Sequence, residues 1–159
     1  MTEVYLLLGS NEADREKNLR SALFLLQQSI GPMLKASSVY ETEAWGMKEQ
    51  QAFLNQAVRF NTLLAPADLL LTVKKIEQQV GRIKTTKWGP RVIDIDILFY
   101  GDRVIGLPEL VIPHPYLHQR RFTLTPLSEI AADFIHPLMK KTVKQLLIEC
   151  KDDSSVVES

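Results

Sequence analysis

The stretch WGPRVIDIDILFYG, residues 88–101, carries the pattern that decides the fold. Its apolar, β-branched run predicts a strand over residues 92–100, yet the run also holds two aspartates, Asp94 and Asp96. Side chains alternate between the two faces of a strand. We therefore expect one face with Ile93, Ile95, Ile97 and Phe99, and the opposite face with Val92, Asp94, Asp96 and Leu98.

Two aspartates on one face need a compensating partner, because burying unpaired carboxylates is costly. With a rise of about 3.3 Å per residue, the α-carbons of Asp94 and Asp96 lie roughly 6.6 Å apart, so both side chains can converge on metal. Oxygen-only ligation favours Mg²⁺, which keeps several waters and shares its shell with substrate phosphates. The pair therefore predicts a site for two Mg²⁺ ions. On these two residues alone, a solvent-exposed pair on an open sheet face remains the alternative.

The elements before this strand follow from hydrophobic periodicity and turn residues. In chain order they are a strand over 3–8 with a turn at 9–11, a helix ended by Gly31, strands over 33–42 and 53–63, and a helix from Pro66 to Gly81. With the strand over 92–100, the order is β-α-β-β-α-β. This order predicts an α+β, ferredoxin-like core with an antiparallel sheet and both helices on one face.

The rest of the chain is predicted to add to this core. Residues 101–115 are rich in glycine and proline and predict a short hairpin-like excursion. Two short helices are expected near 127–132 and 142–149. The polar residues 151–159 are expected to fray. Residues 1–159 are expected to form one domain.

The overall composition narrows the class of protein. The 159 residues are 45% hydrophobic and 24% charged, as in an ordinary globular protein. Because 19 basic residues balance 19 acidic ones, the net charge gives no reason to expect nucleic-acid or membrane binding. The single cysteine, Cys150, excludes an internal disulfide, and no signal peptide or membrane span is expected. We expect a cytoplasmic monomer.

Basic residues flank the aspartate pair on both sides in the sequence. Arginine binds phosphate oxygens in a bidentate manner, so this context favours a metal-bound nucleotide polyphosphate. No P-loop or kinase glycine-rich loop is present in the sequence. The connections 43–52 and 83–91 are long and contain tryptophan and charge, which favours substrate-covering loops. The flanking residues are Arg82, Lys84, Lys87, Trp88 and Arg91 before the pair, and His114, Arg120 and Arg121 after it.

Several motifs resemble one known family. KWGPRVIDIDIL, residues 87–98, is similar to the signature of the 6-hydroxymethyl-7,8-dihydropterin pyrophosphokinases of folate biosynthesis. Further similar pieces follow in the same order: LLLGSN at 6–11, SSVYET at 37–42, FLN at 53–55, IEQQVGR at 76–82 and IPHPYLHQRRFTLTPL at 112–127. The resemblance covers nearly the whole chain and ends only near its C-terminus.

The resemblance implies an activity and a set of site residues. ATP would transfer its pyrophosphoryl group to the hydroxymethyl oxygen of 6-hydroxymethyl-7,8-dihydropterin, leaving AMP, with two Mg²⁺ held by Asp94 and Asp96. Catalytic roles are implied for Arg82, Arg91, Asp94 and Asp96. The positions implied for ATP are Leu70, Glu77, Arg82, Lys84, Trp88, Arg91, Ile97, His114 and Arg120. Those implied for the pterin are Thr42, Glu43, Ala44, Trp45, Phe53, Asn55, Asp94 and Phe122, the two phenylalanines sandwiching the ring.

Three positions depart from the family pattern, and Lys74 adds a charge beside the implied nucleotide site. Glu43 and Ala44 stand where prolines are frequent, and Lys84 stands where an arginine is common, so the planar fork of a guanidinium is lost there. None of these positions provides a metal ligand. We therefore expect altered loop closure or affinity rather than lost activity.

The same element order also builds other classes of protein. RNA-recognition modules need aromatic motifs on the sheet and usually a basic surface, which this sequence lacks. Nucleotidyl cyclase and polymerase palms also hold two metals with paired carboxylates and are the principal enzyme alternative. A small-ligand regulatory module is the third possibility, although it would have no use for an aspartate pair flanked by arginines.

Overall fold

The computed structural model describes residues 1–42, 51–81 and 92–159. The strands are β1 (Thr2–Ser10), β2 (Met33–Ala36), β3 (Tyr40–Thr42), β4 (Phe53–Thr62), β5 (Asp94–Tyr100), β6 (Ile105–Leu107), β7 (Leu110–Ile112) and β8 (Val156–Glu158). The helices are α1 (Arg15–Ser29), α2 (Pro66–Val80), α3 (Arg121–Ala131) and α4 (Val143–Glu149), with a 3₁₀ turn at Leu117–Gln119.

Among the described residues, six strands form one antiparallel sheet in the order β5-β1-β4-β3-β8, with β2 also paired to β4. The strands β6 and β7 form a separate hairpin, as predicted for the excursion after Tyr100. The β-α-β-β-α-β order of the core and its antiparallel pairing are confirmed. Within the described ranges, no helix is both long and apolar enough to cross a membrane.

Helices α1 and α2 cover one face of the sheet, which we call the first face. Val4, Leu6 and Leu8 of β1 project into this layer, where they join residues such as Leu26 of α1 and Val73 of α2, all fully buried. The helices begin where the sequence favours a helix start, because the Asp14 side chain accepts the Lys17 N–H and Pro66 occupies the first turn of α2. The prediction that both core helices share one face is confirmed.

Helices α3 and α4 cover part of the opposite face, which we call the second face. Tyr5 of β1 and both Leu98 and Phe99 of β5 pack there against the two helices. The predicted orientation of Phe99 is wrong. The β1–β5 register shifts at Tyr5/Leu6, so that Phe99 pairs with Tyr5 while Ile97 pairs with Leu6. The extra residue, Leu98, reverses the alternation, as a β-bulge does.

The strand predicted over 33–42 is two separate strands, because its regular backbone hydrogen bonding to β4 is interrupted in the middle. Between β2 and β3, the backbone N–H of Ser37 donates to the Ala57 carbonyl at 2.8 Å, and the Ser37 hydroxyl accepts the Ala57 N–H at 3.0 Å. A side chain thus replaces a backbone acceptor at this point. Both strands remain on the same edge of β4.

Three boundaries differ from the sequence-based expectation. Strand β1 continues through Ser10, so Gly9 lies in a strand rather than in a turn. Helix α3 begins at Arg121 rather than near 127, although Pro126 lies within it. The expected fraying of residues 151–159 is corrected as well, because β8 pairs with β3 over Thr42–Val156, Glu41–Val157 and Tyr40–Glu158. Backbone pairing holds this segment despite its polar composition.

Candidate active site

A cavity of about 750 Å³ lies on the second face, beside the start of α3. Its floor is formed by strands β1, β4 and β5, and its sides come from the end of β3, the start of α3 and the segment after α4. The described lining residues are Leu7, Gly9, Thr42, Phe53, Asn55, Asp94, Asp96, Gln119, Arg120, Phe122, Lys151, Asp152 and Asp153.

The register of the sheet places the aspartates on this floor. Gly9 pairs with Asp94 on one side and with Asn55 on the other, and Leu7 pairs with Asp96 in the same way. Directly paired residues project from the same face of a sheet. Asp94, Gly9 and Asn55 therefore form one row across the floor, with Asp96 in the next row. Both aspartates are partly exposed and line the same cavity, which confirms the shared face predicted for them.

Gly9 leaves a hollow in the middle of this row. A Cβ at this position would lie 2.8 Å from the Asn55 Oδ1 and 3.8 Å from the Phe53 Cδ1. A glycine inside a strand often marks a close approach by a ligand or another chain segment. The role of Gly9 was missed from the sequence, because its neighbours Ser10 and Asn11 suggested a turn.

Four of the positions expected for the pterin come together around this hollow. Thr42 and Asn55 are buried, and the Asn55 Nδ2 donates to the Thr42 Oγ1 at 3.5 Å. Phe53 of β4 and Phe122 of α3 bring two aromatic rings to the cavity from different elements. Aromatic surface with a few fixed polar groups is what a flat heterocycle requires.

Among the described residues expected to bind ATP, Arg120 is the one that lines the cavity. Its guanidinium carbon lies 5.3 Å from the centre of the Tyr116 ring and 5.5 Å from that of Phe122. Contacts of this length are cation–π interactions, which restrict the orientation of the side chain. Arg120 thus lies against the two aromatic rings of Tyr116 and Phe122 at the start of α3.

The described lining carries more negative than positive charge. Its four carboxylates belong to Asp94, Asp96, Asp152 and Asp153, and its two cationic side chains are Arg120 and Lys151. An acidic floor next to an arginine suits a cation that is itself bound to an anionic ligand.

His114 lies next to this charge cluster without lining the cavity. Its backbone N–H donates to the Leu98 carbonyl at 3.1 Å, and its Nδ1 accepts the Tyr116 N–H at 3.2 Å. Burial lowers the pKa of His114, and the Arg120 charge lowers it further, while Asp96 opposes the shift. The lowered pKa favours the neutral imidazole form of His114, whose charged form interacts with both Asp96 and Arg120.

Glu77 supports the strand that carries the aspartates. Its Oε2 accepts the backbone N–H of Ile95 at 2.8 Å, and its Oε1 lies 3.3 Å from the Lys74 ammonium. Burial raises the pKa of the Glu77 carboxyl, although the Ile95 N–H and Lys74 oppose the shift. Leu70 and Ile97 pack in the first-face layer. As far as the described residues define the cavity, these three positions lie outside its lining.

The remaining expected site residues lie outside the described residues. They are Arg82, Lys84, Trp88 and Arg91 for the nucleotide, and Glu43, Ala44 and Trp45 for the pterin. The two connections expected to cover the substrates, 43–52 and 83–91, likewise fall mostly outside.

The donor set on the floor fits hydrated Mg²⁺. Within residues 1–42, 51–81 and 92–159, no three side chains of histidine, cysteine, aspartate or glutamate form a ready metal cage. Asp94 and Asp96 instead offer two carboxylates that face a roomy cavity. Mg²⁺ is commonly held by one or two carboxylates together with waters and substrate phosphates, so a two-carboxylate site is chemically adequate.

Several lining residues were missed from the sequence: Leu7, Gly9, Gln119, Lys151, Asp152 and Asp153. Gly9 carried a usable signal, since glycine is unusual in an apolar strand. The positions 151–153 carried none, because a polar stretch after the last helix is typical of a frayed end. Contacts with distant parts of the sequence bring them to the cavity: β8 pairs with β3, and Asp152 is hydrogen-bonded to Arg121.

Comparison with known proteins agrees with this geometry. Residues 5–132 match the family model of 7,8-dihydro-6-hydroxymethylpterin-pyrophosphokinase (HPPK). A 2-amino-4-hydroxy-6-hydroxymethyldihydropteridine pyrophosphokinase of Aquifex aeolicus is 46% identical over 145 residues, covering 91% of this chain and 90% of the relative. The Bacillus subtilis protein of the same name is 44% identical over 127 residues, covering 79% of this chain and 76% of the relative.

Solved structures share the fold. The crystal structure of wild-type Plasmodium falciparum HPPK-DHPS with SDX-DHP has a TM-score of 0.76 and 19% sequence identity to this chain. The match covers 94% of this chain and 43% of the Plasmodium chain, so the chain spans less than half of that protein. The family resemblance predicted from the sequence is confirmed by the family model and the relatives. The chain belongs to the 7,8-dihydro-6-hydroxymethylpterin-pyrophosphokinase family and is an ATP-dependent transferase of folate biosynthesis.

Proposed function

We propose that this chain transfers the pyrophosphoryl group of ATP to the hydroxymethyl oxygen of 6-hydroxymethyl-7,8-dihydropterin, giving AMP and the pterin diphosphate, and that it does so in the cavity on the second face. The observation that carries the proposal is the row Asp94–Gly9–Asn55. It joins a carboxylate suited to metal-bound phosphate to a buried amide suited to a heterocycle, on one floor.

The pterin is proposed to occupy the Gly9 hollow. Asn55 recognises its polar edge, Thr42 closes the adjacent wall, and Phe53 and Phe122 stack on the ring. This assignment is supported by the buried state of Asn55 and by the two phenylalanines in the lining. Glu43, Ala44 and Trp45, which follow Thr42 directly, are proposed to cover the ring edge.

Asp94 and Asp96 are proposed to hold two Mg²⁺ ions. When bound, these ions neutralise triphosphate charge and lower the pKa of the pterin hydroxyl. The acidic character of the described lining supports this assignment. The nucleotide is proposed to be bound by Arg120 together with Arg82, Lys84, Trp88 and Arg91, as the sequence resemblance implies. The same resemblance adds His114, Glu77, Leu70 and Ile97 to the residues around the nucleotide.

The residues of the chain then act by orientation and charge. The floor holds the pterin hydroxyl in line with the β-phosphorus of ATP, which reduces the entropic part of the barrier. Arg82 and Arg91 stabilise the negative charge that gathers on the transferred group. The connections 43–52 and 83–91 exclude water, which would otherwise hydrolyse ATP.

We further propose that residues 1–159 form one pyrophosphokinase domain that acts as a monomer in the cytoplasm. The single cysteine fits a reducing compartment, which supports the cytoplasmic setting.

A product assay tests the function directly. The purified protein is incubated with Mg-ATP and the reduced pterin alcohol, and the nucleotide product is identified by chromatography. We expect AMP in equal amount to the pterin diphosphate, and none when the pterin is omitted. Formation of ADP or a cyclic nucleotide instead would contradict the proposal and favour a phosphotransferase or a cyclase.

A further inference from the structure

We propose that Asp152 is a positioning residue of the substrate site, holding the start of α3, and with it Arg120 and Phe122, against the cavity. This inference rests on the proposed function of the cavity. It adds a residue outside the stretch that matches the family model, which ends at residue 132.

Asp152 is bound to the start of α3 at two points. Its Oδ2 accepts the backbone N–H of Arg121 at 3.0 Å, and its backbone carbonyl accepts the Arg121 Nε–H at 2.7 Å. Arg121 stands between Arg120 and Phe122, which both line the cavity. Fixing the backbone of Arg121 therefore fixes the origin of both side chains.

The start of α3 depends on this external contact. Arg120, which precedes the helix, makes no side-chain capping hydrogen bond. The first N–H groups of a helix have no partner within the helix and need an acceptor from elsewhere. A carboxylate supplies that acceptor and also interacts favourably with the positive end of the helix dipole. Asp152 thus replaces the missing cap from a distant part of the sequence.

The Asp152 carboxylate is itself held in place. Its Oδ1 accepts the backbone N–H of Ser154 at 3.0 Å and the Ser154 hydroxyl at 2.7 Å. Burial by itself would raise the pKa of Asp152, but the hydrogen bonds from Ser154 and the Arg121 N–H together lower it. The group is therefore an anion at neutral pH, which is the form that caps a helix.

The segment around Asp152 is anchored at its far end to a second wall of the cavity. Strand β8 pairs with β3 from Val156 opposite Thr42, and the Ser159 N–H donates to the Val39 carbonyl at 2.8 Å. Residues 152–156 therefore connect the arginine and aromatic wall of α3 to the Thr42 wall. A displacement of either wall must strain this connection.

The test compares Asp152→Ala and Asp152→Asn with the wild-type protein. We measure kcat, the KM for each substrate, and equilibrium binding of the reduced pterin alcohol by calorimetry. For Asp152→Ala we expect the KM and dissociation constant of the pterin to rise about tenfold, as for loss of a hydrogen bond to a charged group. We expect kcat to change less than the KM. Asp152→Asn keeps one oxygen acceptor for the Arg121 N–H but loses the negative charge and the second acceptor that serves Ser154, so it should recover part of the affinity.

Asp133→Ala is the matched control, because Asp133 is an exposed aspartate outside the cavity lining. It should leave both constants unchanged. If Asp152→Ala is too unstable to purify, Ser154→Ala removes the hydroxyl contact to the same carboxylate, while the backbone N–H contact remains. This variant should raise the pterin KM in the same direction by a smaller factor.

Two results would overturn the inference. One is wild-type pterin affinity in Asp152→Ala, or in Ser154→Ala if that variant replaces it. The other is an equal loss of affinity and melting temperature in Asp152→Ala and Asp152→Asn, which would indicate a purely structural role. A wild-type protein that binds the pterin but forms no AMP would contradict the proposed function instead.

Discussion

The two faces of the sheet are built from the same strands but are exposed to different environments. On the first face, the alternate residues of β1 and β5 are apolar along both strands, and α1 and α2 bury them. On the second face, the residues near Tyr5 and Phe99 are buried under α3 and α4, whereas the rows at Leu7 and Gly9 open into the cavity. The position of the site is therefore set by where the second layer of helices stops.

As a result, one strand carries both residues that stabilise the fold, on its first face, and residues available for activity, on its second face. The first face provides continuous burial of apolar surface, which is the main favourable term in folding. The rows of the second face that open into the cavity bury less apolar surface. They carry polar groups that can bind a ligand. Substitutions on the two faces should consequently affect different measured quantities.

The largest expected effect belongs to the first face. Leu26→Ala removes a fully buried side chain of α1 and should lower the free energy of unfolding by about 2–5 kcal/mol. Urea denaturation measures this change. Phe24→Ala, on the exposed side of the same helix, should have a much smaller effect. A change in pterin KM for folded Leu26→Ala protein would show that the faces are not independent.

On the open part of the second face, substitution of the aspartates should affect activity rather than stability. Asp94→Ala and Asp96→Ala should each reduce kcat at least about a hundredfold, as loss of a preorganised electrostatic group does. Because both carboxylates are partly exposed, the melting temperature should change little. Asp102→Ala, an exposed aspartate just after β5, is the matched control for steady-state kinetics. Normal turnover of Asp96→Ala would refute the assignment.

The Gly9 hollow provides a steric test of the same row. Gly9→Ala places a Cβ 2.8 Å from the Asn55 Oδ1, so Asn55 must move and the hollow is partly filled. We expect the pterin KM to rise roughly tenfold, with the ATP KM nearly unchanged, since a small misplacement at a site is costly. Gly106→Ala meets no atom within 4 Å and is the control. Equal pterin KM values for the two variants would place the pterin elsewhere.

The smallest expected effect comes from the covered part of the second face, through pH. His136 is buried, its ring lies 5.6 Å from the Phe99 ring, and its Nδ1 accepts the N–H groups of Leu138 and Met139. Burial lowers the pKa of His136, and His118 adds to the shift. The unfolded chain therefore binds more protons than the native one below about pH 7, and stability should fall as the pH is lowered through 6.5.

Urea denaturation at pH 7.5 and 5.5 measures this dependence. His136→Gln should flatten it, and His118→Gln should flatten it less, because only the smaller cause is removed. His114, whose pKa is also lowered, contributes with the same sign and remains in both variants. Equal wild-type stability at the two pH values would contradict the expectation.

Local patterns in the sequence predicted the helix-covered first face and the common face of Asp94 and Asp96. The two-residue period of β5 correctly placed Asp94 and Asp96 together, since each depends only on its own strand. It failed at Phe99, because the bulge at Leu98 arises from pairing with β1 and leaves no local mark.

Contacts between distant parts of the sequence could not be predicted in the same way. The start of α3 at Arg121 depends on Asp152, which is far along the chain, and β8 depends on an open edge of β3. Gly9 has two plausible interpretations, a turn or a hollow in a strand, and only the strand register separates them. The roles assigned to Arg82 and Arg91 remain predictions.

The bond from Glu77 to Ile95 has a consequence for how the protein behaves at high concentration. Among the strands that the structure describes, β5 is at an edge of the sheet. Free N–H groups on an edge can pair with a strand of another molecule and start aggregation. The Glu77 carboxylate accepts a hydrogen bond from the Ile95 N–H at this edge, so that group is not free to pair with another strand. It thereby makes the strand that carries the aspartates a poor template for intermolecular β-pairing.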